Sequence, residues 1–208
     1  WTVTLLLKPV IVMAHLLGGL TTVGLLFWLA LEHLRSNDGS KVRRIAWPAA
    51  LGLVVLVCQI ALGGWTSSNY AALACPDLPT CLGQWWPEQA DFSEGFIMWR
   101  GLGVDYEFGI LEAPARVAIH FAHRLGAIAA TVVLLLVTLS FWRSQAANGS
   151  MRTACMAVWA ALATQITLGI CTVWFGLPLA VATAHNGVAA VLLLTVINLN
   201  NVASRASA

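Results

Sequence analysis

Five long apolar runs constrain the fold of this chain more than any other feature. Each is about 20 residues or longer, which is the length that an α-helix needs to cross the hydrocarbon core of a bilayer. They occupy residues 9–31, 45–65, 117–142, 151–174 and 179–199. Because 59% of the 208 residues are hydrophobic and only 10% are charged, the composition excludes an ordinary water-soluble domain. The sequence therefore predicts an all-α, polytopic membrane protein with five transmembrane helices.

The segments between the runs predict how the helices are oriented. The short segments 32–44 and 143–152 and the C-terminal tail carry Lys or Arg, and such segments stay on the cytoplasmic side. The long loop 66–114 holds seven of the nine acidic residues and only Arg100 as a base. We therefore expect this loop outside and the basic segments on the cytoplasmic side. The basic residues form no single face, so we expect contact with membrane lipid and no nucleic-acid partner.

Three histidines share one predicted membrane depth. His15, His123 and His185 each lie near the start of a run, on the side that the orientation places outside. An ionisable residue inside a membrane span is costly without a partner and marks a candidate functional site. Because bundles often place cofactor ligands on facing helices, we interpret His123 and His185 as the two ligands of one haem iron. The alternative is a buried histidine bonded to a hydroxyl or carbonyl group of a neighbouring helix.

The sequence also contains an internal repeat. Residues 59–66, Gln-Ile-Ala-Leu-Gly-Gly-Trp-Thr, match residues 165–172, Gln-Ile-Thr-Leu-Gly-Ile-Cys-Thr. His15 corresponds in the same way to His185, with a one-residue slip around the preceding proline. A repeated helix–turn–helix with a histidine at the same point predicts a duplicated helical bundle.

The repeat predicts where the structural units begin and end. Residues 1–44 would hold the last helix of a first bundle and the cytoplasmic loop after it, and residues 45–201 a complete second bundle of four helices. Residues 202–208 would form a cytoplasmic tail. Because the chain starts in apolar sequence without the features of a signal peptide, we expect a fragment of a longer protein, in which residues 1–7 end an earlier helix.

The cysteines fall into two groups. Cys75 and Cys81 lie in the outer loop, where an oxidising compartment favours a disulfide between them. A redox-active pair and two free thiols remain the alternatives, whereas a zinc site would need more ligands than the loop offers. Cys58, Cys155 and Cys171 lie within the apolar runs and are interpreted as small packing residues.

Three further residues near His123 are candidates for contact with a cofactor. His120 precedes His123 by three residues and shares its helix face, so it could touch the cofactor edge, accept a proton or replace His123 as the ligand. Arg124 lies inside the apolar run, where bidentate hydrogen bonds to haem propionates would satisfy its guanidinium. Arg116 could do the same or could anchor the helix at the interface by snorkelling.

Taken together, the motifs resemble those of the haem A synthases of aerobic bacteria and mitochondria. The matching segments are residues 59–70 (Gln-Ile-Ala-Leu-Gly-Gly-Trp-Thr-Ser-Ser-Asn-Tyr), residues 74–81 (Ala-Cys-Pro-Asp-Leu-Pro-Thr-Cys), His123-Arg124-Leu-Gly and Ala184-His185. The combination covers most of the chain and is specific, although His-Arg alone would be a weak signal. The resemblance implies an integral protein of the bacterial or mitochondrial inner membrane, with two pseudo-symmetric four-helix bundles and eight spans.

The resemblance also implies the sites and the reaction. The C-terminal bundle would hold a haem b between His123 and His185. The N-terminal bundle would receive the substrate, haem O, at a histidine pair of which His15 is the second member, so His15 is the candidate catalytic and metal-ligating residue. The family oxidises the C8 methyl group of haem O to a formyl group in oxygen-dependent steps and so makes haem A for terminal oxidases. The implied partners are haem O, molecular oxygen, an unidentified electron donor and haem O synthase.

The chain departs from the family pattern in its N-terminal half. The first three spans are absent, and with them the other substrate-site histidine and the acidic residue that precedes it in the family. His120 occupies the position, three residues before His123, that the acidic residue holds in the first copy.

Two other classes of function compete with an enzyme of this family. One is a non-catalytic membrane cytochrome b that passes electrons from quinol through a bis-histidine haem. The other is a thiol–quinone redox protein that works through Cys75 and Cys81, which the lack of a Cys-x-x-Cys pair disfavours. Haem O or haem A beside haem b in the purified full-length protein would favour the synthase.

Overall fold

The computed structural model describes residues 8–34, 46–101, 106, 109–144 and 148–206. Within these residues the chain forms six α-helices, which are α1 (Pro9–Leu34), α2 (Trp47–Ser68), α3 (Phe92–Gly95), α4 (Ala113–Arg143), α5 (Gly149–Trp174) and α6 (Leu179–Ala206). Five of these described helices are long and apolar enough to cross a membrane. The predicted all-α, polytopic membrane fold is confirmed. The predicted end of an earlier helix at 1–7 and most of the basic loop 32–44 lie outside the described residues.

Prolines, a side-chain cap and a tight turn mark several of the helix ends. α2 and α4 each have a proline in the first turn, where the missing backbone N–H costs no hydrogen bond. The side chain of Asn148 caps α5 by accepting a hydrogen bond from the backbone N–H of Met151 at 2.9 Å. Leu177, with φ of 65°, and Gly176, with φ of 68°, make the tight turn from α5 to α6. A tight turn therefore joins the last two spans.

Residues 202–206, the described part of the predicted C-terminal tail, are helical and continue α6. Nδ2 of Asn201 donates a hydrogen bond to Oε1 of Glu32 at 2.5 Å, and Nη2 of Arg205 pairs with Oε2 of Glu32 at 3.4 Å. Glu32 belongs to the last turns of α1. The end of α6 stays helical because its polar side chains find a partner on α1.

Four of the helices share one apolar core. Leu56 of α2, Leu134 of α4, Val158 of α5 and Val196 of α6 are all buried within it. α2 packs on α4 and α6, and α5 packs on the same two helices, whereas α4 and α6 do not pack on each other within the described residues. The four helices therefore form a bundle in which α4 and α6 lie diagonally opposite each other.

α1 packs on the outside of this bundle, against α2 and α6. Within it only Pro9 and Gly24 are buried, so most of its surface has no covering among the described residues. Lys8, just before α1, donates a hydrogen bond to the carbonyl of Gly101 and lies 4.1 Å from the centre of the Trp99 ring. The start of α1 therefore lies on the same side as the long loop 66–114.

The long loop folds onto the ends of α2 and α4. The side chain of Asp91 caps α3 by accepting the N–H of Glu94 at 2.9 Å, and the Asp91 N–H donates to the carbonyl of Pro114 at 3.0 Å. Nε1 of Trp65 on α2 donates to the carbonyl of Gly95 at 2.9 Å. A helix as short as α3 carries no periodic pattern, which is why the sequence reads as loop there. The described part of the loop is thus a folded cap over this end of the bundle.

Candidate functional site

His123 on α4 is held by two residues of α2. Nε2 of Gln59 lies 3.0 Å from Nδ1 of His123 and donates a hydrogen bond to its backbone carbonyl at 3.1 Å. One turn further along α2, Gly63 faces the edge of the ring, and a Cβ atom there would lie 3.2 Å from Cε1. The imidazole is therefore bonded on one nitrogen and fits closely against bare backbone.

His185 on α6 has the same two kinds of neighbour from α5. Nε2 of Gln165 lies 3.1 Å from Nε2 and 3.3 Å from Nδ1 of His185. A Cβ atom at Gly169 would lie 3.2 Å from Cε1 of His185. A glutamine and a glycine four residues later thus meet a histidine in both halves of the bundle.

The two histidines lie on the diagonal helices of the bundle. His123 is on α4 and His185 is on α6, and each ring contacts a glutamine of the helix that packs beside it. A haem iron takes four ligands from its porphyrin and needs only two from the protein, so a diagonal histidine pair suits it. Within the described residues no group of three or more His, Cys, Asp or Glu side chains could hold a metal ion.

Two buried oxygens support the fit of such a group. Oε1 of Gln59 and Oε1 of Gln165 are buried and have no hydrogen-bond partner among the described residues. A histidine that ligates iron through Nε2 presents an Nδ1–H donor, which needs an acceptor of this kind. The donor set, the close-fitting glycines and the spare acceptors together suit a haem bound between His123 and His185.

His120, a candidate for contact with a cofactor, is hydrogen-bonded to the long loop. Its ring is buried, and Nδ1 accepts a hydrogen bond from the backbone N–H of Cys75 at 3.1 Å. On its other side, Nε of Arg124 lies 3.3 Å from Nε2. His120 therefore fastens the outer loop to α4, and we do not include it among the iron ligands.

Arg124 is likewise bonded to the loop, where haem propionates were expected. Nη1 donates to the carbonyls of Asp77 and Thr80 at 2.8 Å each, and Nη2 donates to the carbonyl of Cys75 at 2.5 Å. A guanidinium inside an apolar run is tolerated when carbonyl groups accept its N–H donors in this way. Sequence reasoning missed this pairing because the carbonyl groups belong to a distant loop.

Cys75 and Cys81 are joined by a disulfide, with their Cα atoms 4.7 Å apart. The segment that they close is held together by Asp77, whose carboxylate accepts from the hydroxyl of Thr80 and from the N–H groups of Leu82 and Gly83. The Thr80 bond, followed by the backbone donors, lowers the pKa of Asp77 from 3.8 to about 2. The segment is a compact unit that lies above His120 and Arg124.

Arg116 and His15 make no hydrogen bond to His123 or His185 within the described residues. Arg116 is half-buried near the start of α4, and within the described residues its Nε has no hydrogen-bond partner. His15 lies exposed on α1. The neighbouring Met13 and Leu16 pack toward Gly64 of α2, so the His15 side chain is not brought to His123 or His185.

The chain matches the model of a family described as cytochrome oxidase assembly protein over residues 1–197. It belongs to this family. The match covers nearly all of the chain, including the repeat, the disulfide segment and the histidine pair. None of the solved structures matches the chain.

Curated relatives of this family member carry the name heme A synthase. The Shewanella oneidensis protein is 43% identical over 204 residues, which make up 96% of this chain and 60% of that protein. The Novosphingobium aromaticivorans and Sphingopyxis alaskensis proteins are 30% and 32% identical and match 86% of this chain. The chain spans 48% and 46% of their lengths. The resemblance to haem A synthases is confirmed, and the chain spans roughly half or somewhat more of the relatives it matches.

Proposed function

We propose that this chain forms the haem-binding C-terminal bundle, with one further helix, of a haem A synthase. The observation that carries the proposal is the diagonal pair of His123 and His185, each with a glutamine and a glycine from the internal repeat. The name shared by the curated relatives supports the assignment to haem A formation. In this proposal residues 45–201 form the second bundle of a duplicated, eight-span protein, and α1 is the last helix of the first.

The proposed resident group is a haem b. His123 and His185 would ligate its iron through one nitrogen each, and a bis-histidine haem supplies reversible one-electron transfer. The half-buried Arg116, whose Nε has no hydrogen-bond partner among the described residues, is suited to pair with a propionate at the edge of the bundle. Segment 75–81, which is hydrogen-bonded to His120 and Arg124, would shield this end of the site from water.

The proposed reaction is the oxidation of the C8 methyl group of haem O to a formyl group, which yields haem A for terminal oxidases. It requires molecular oxygen and an electron donor, and haem O synthase would deliver the substrate. The substrate would bind at His15, whose side chain faces away from the haem b ligands on the exposed surface of α1. We place the protein in a bacterial or mitochondrial inner membrane, with loop 66–114 outside and the basic loops in the cytoplasm or matrix.

The structure offers little support for thiol–quinone chemistry at the disulfide. Cys75 and Cys81 are 0% and 1% exposed, and the carbonyl of Cys75 is bonded to Arg124. An attacking thiol or a quinone would have no approach to the sulfur atoms while the loop is folded.

Analysis of the haems extracted from the purified full-length protein tests the proposed function. We expect haem b together with haem O or haem A, because a synthase retains substrate or product beside its resident haem. Haem b alone, with no haem A formed when haem O and a reductant are supplied in air, would instead indicate a bis-histidine membrane cytochrome.

A further inference from the structure

Gln59 and Gln165 are the most unusual polar residues in the bundle. They lie on membrane-spanning helices, they occupy equivalent places in the repeat, and each contacts a candidate iron ligand. Yet in each case the amide oxygen is buried and has no partner among the described residues. Buried polar atoms are nearly always hydrogen-bonded, so two such oxygens at equivalent positions require an explanation.

Ligation of iron supplies the missing donor. When Nε2 of a histidine binds a metal, the proton of the neutral ring lies on Nδ1, and that N–H must be accepted by a neighbouring group. At His123, the amide of Gln59 already lies 3.0 Å from Nδ1. The two ends of a carboxamide are nearly equal in size, so a half-turn of the amide would place Oε1 at Nδ1. The half-turn would give up the hydrogen bond that Nε2 donates to the His123 carbonyl at 3.1 Å, and the Nδ1–H of the ligating ring would replace it as the link between the two residues.

The glycines of the repeat complete the environment of each ring. Cβ atoms at Gly63 and Gly169 would both lie 3.2 Å from the Cε1 atom of the adjacent histidine. A side chain at either position would push against the ring edge that lies between the two nitrogens. In each copy of the repeat, a glutamine therefore contacts the histidine and a glycine leaves space for its ring.

We propose that Gln59 and Gln165 are positioning residues for the haem ligands. Each accepts the Nδ1–H of its histidine through Oε1, orients the ring against its glycine and leaves Nε2 for the iron. At His185 the amide nitrogen of Gln165 lies 3.1 Å from Nε2 and 3.3 Å from Nδ1, so the amide must shift toward Nδ1 to leave Nε2 for the iron. This inference rests on the proposed bis-histidine haem.

The test compares glutamine variants in the purified full-length protein. Gln59→Met and Gln165→Met keep the length of the side chain and remove the acceptor, whereas Gln59→Glu and Gln165→Glu keep an acceptor oxygen. The matched control is Thr167→Val, an exposed polar position on α5 whose hydroxyl donates to the carbonyl of Ala163 at 2.9 Å. The measurements are the rate of haem b loss to an excess of apomyoglobin and the midpoint potential of haem b.

The two kinds of variant should shift the potential in opposite directions. Loss of a partner of a ligating histidine weakens metal binding about 10-fold to 100-fold, so the Met variants should lose haem faster by such a factor. Their potential should rise, because the ligand becomes less basic and stabilises ferric iron less. The Glu variants should retain haem at nearly the wild-type rate and have a lowered potential, and Thr167→Val should match wild type in both measurements.

The outcomes separate this inference from the proposed function. If wild-type protein shows a bis-histidine haem b and the Met variants release it at the control rate with unchanged potential, the glutamines are packing residues and the inference is wrong. If a Met variant does not fold, the Glu variant decides, since an unchanged potential there overturns the inference as well. If wild-type protein binds no bis-histidine haem, the proposed function itself fails.

Discussion

The histidines on α4 and α6 differ in their partners, and the partners separate their roles. His120 is covered by the outer loop and bonded to its backbone, whereas His123 and His185 each have a glutamine amide and a glycine beside the ring. A spacing of three residues places His120 and His123 on one helix face, but it does not say which ring the loop will cover. The assignment of ligand and structural histidine therefore depends on the contacts made at each ring.

Substitution of the histidines should separate these roles. We expect His123→Ala and His185→Ala each to abolish the low-spin bis-histidine spectrum of haem b, because the iron loses one of its two protein ligands. His120→Ala should retain the spectrum and should speed amide exchange at Cys75, whose N–H loses its acceptor. Optical and electron paramagnetic resonance spectra of the purified variants check this. A bis-histidine spectrum that survives in both ligand variants would contradict the assignment.

Gly63→Ala tests the close fit of His123 at the scale of one methyl group. The added Cβ would lie 3.2 Å from Cε1, so the ring would have to shift away from α2. Overpacking of this kind costs about 1–3 kcal/mol, and we expect haem affinity to fall by that free energy. Gly149→Ala is the control, since a Cβ there meets nothing within 4 Å. Equal haem affinity in the two variants would show that the ring has room to spare.

At the scale of elements, the disulfide segment 75–81 is hydrogen-bonded to two side chains of α4. Its carbonyls accept three hydrogen bonds from Arg124, and its first backbone N–H donates to His120. Internally, Asp77 organises the turn that continues through Leu82, which has φ of 55°, and Gly83, with φ of 75°. A left-handed conformation at a leucine is unfavourable by itself, so the bonds from Asp77 to these two N–H groups hold it in place.

The Asp77 carboxylate predicts a dependence of this segment on acid. Because its pKa is lowered from 3.8 to about 2 in the folded loop, ionised Asp77 stabilises the segment above about pH 4. That stability should be lost as the pH falls from about 4 through about 2. Amide protection of Leu82 and Gly83, corrected for intrinsic exchange rates, should fall in this window. In Asp77→Asn, protection should be weaker at neutral pH and independent of acid, and a wild-type profile in that variant would refute the role of the carboxylate.

At the scale of the whole molecule, the proposed function makes α1 the link between the described bundle and a first bundle. α1 is held at both ends, by Lys8 at loop 66–114 and by Glu32 at the end of α6, while most of its length is exposed. His15 lies on this exposed surface and does not approach the histidine pair. The arrangement favours two separate sites, one inside the bundle and one that α1 shares with other parts of the protein.

His15→Ala in the full-length protein tests the division into two sites. We expect haem b content and its spectrum to remain at wild-type levels, because His15 contacts neither His123 nor His185. Conversion of haem O to haem A should stop, as measured by chromatography of the extracted haems. Continued production of haem A would show that His15 is structural, and selective loss of haem b would show that the two sites are assigned the wrong way round.

The sequence by itself determined the fold class and the membrane spans. A spanning helix needs about 20 apolar residues and satisfies its backbone hydrogen bonds internally, so its signal is local and is legible one run at a time. The internal repeat is also visible in the sequence, and it makes Gln59 and Gln165 equivalent positions. The sequence contains no signal that connects those glutamines to histidines on other helices.

Only the tertiary structure decided which polar groups meet. Gln59 and His123 are 64 residues apart, and His120 and Cys75 are 45 residues apart, so their contacts depend on how the helices are rotated and how the loop folds back. Arg124 was expected to need a propionate and instead found three carbonyls of the disulfide segment. A buried charged group needs hydrogen-bond partners, and several kinds of group can supply them. The sequence does not specify which of these groups the fold will place nearby.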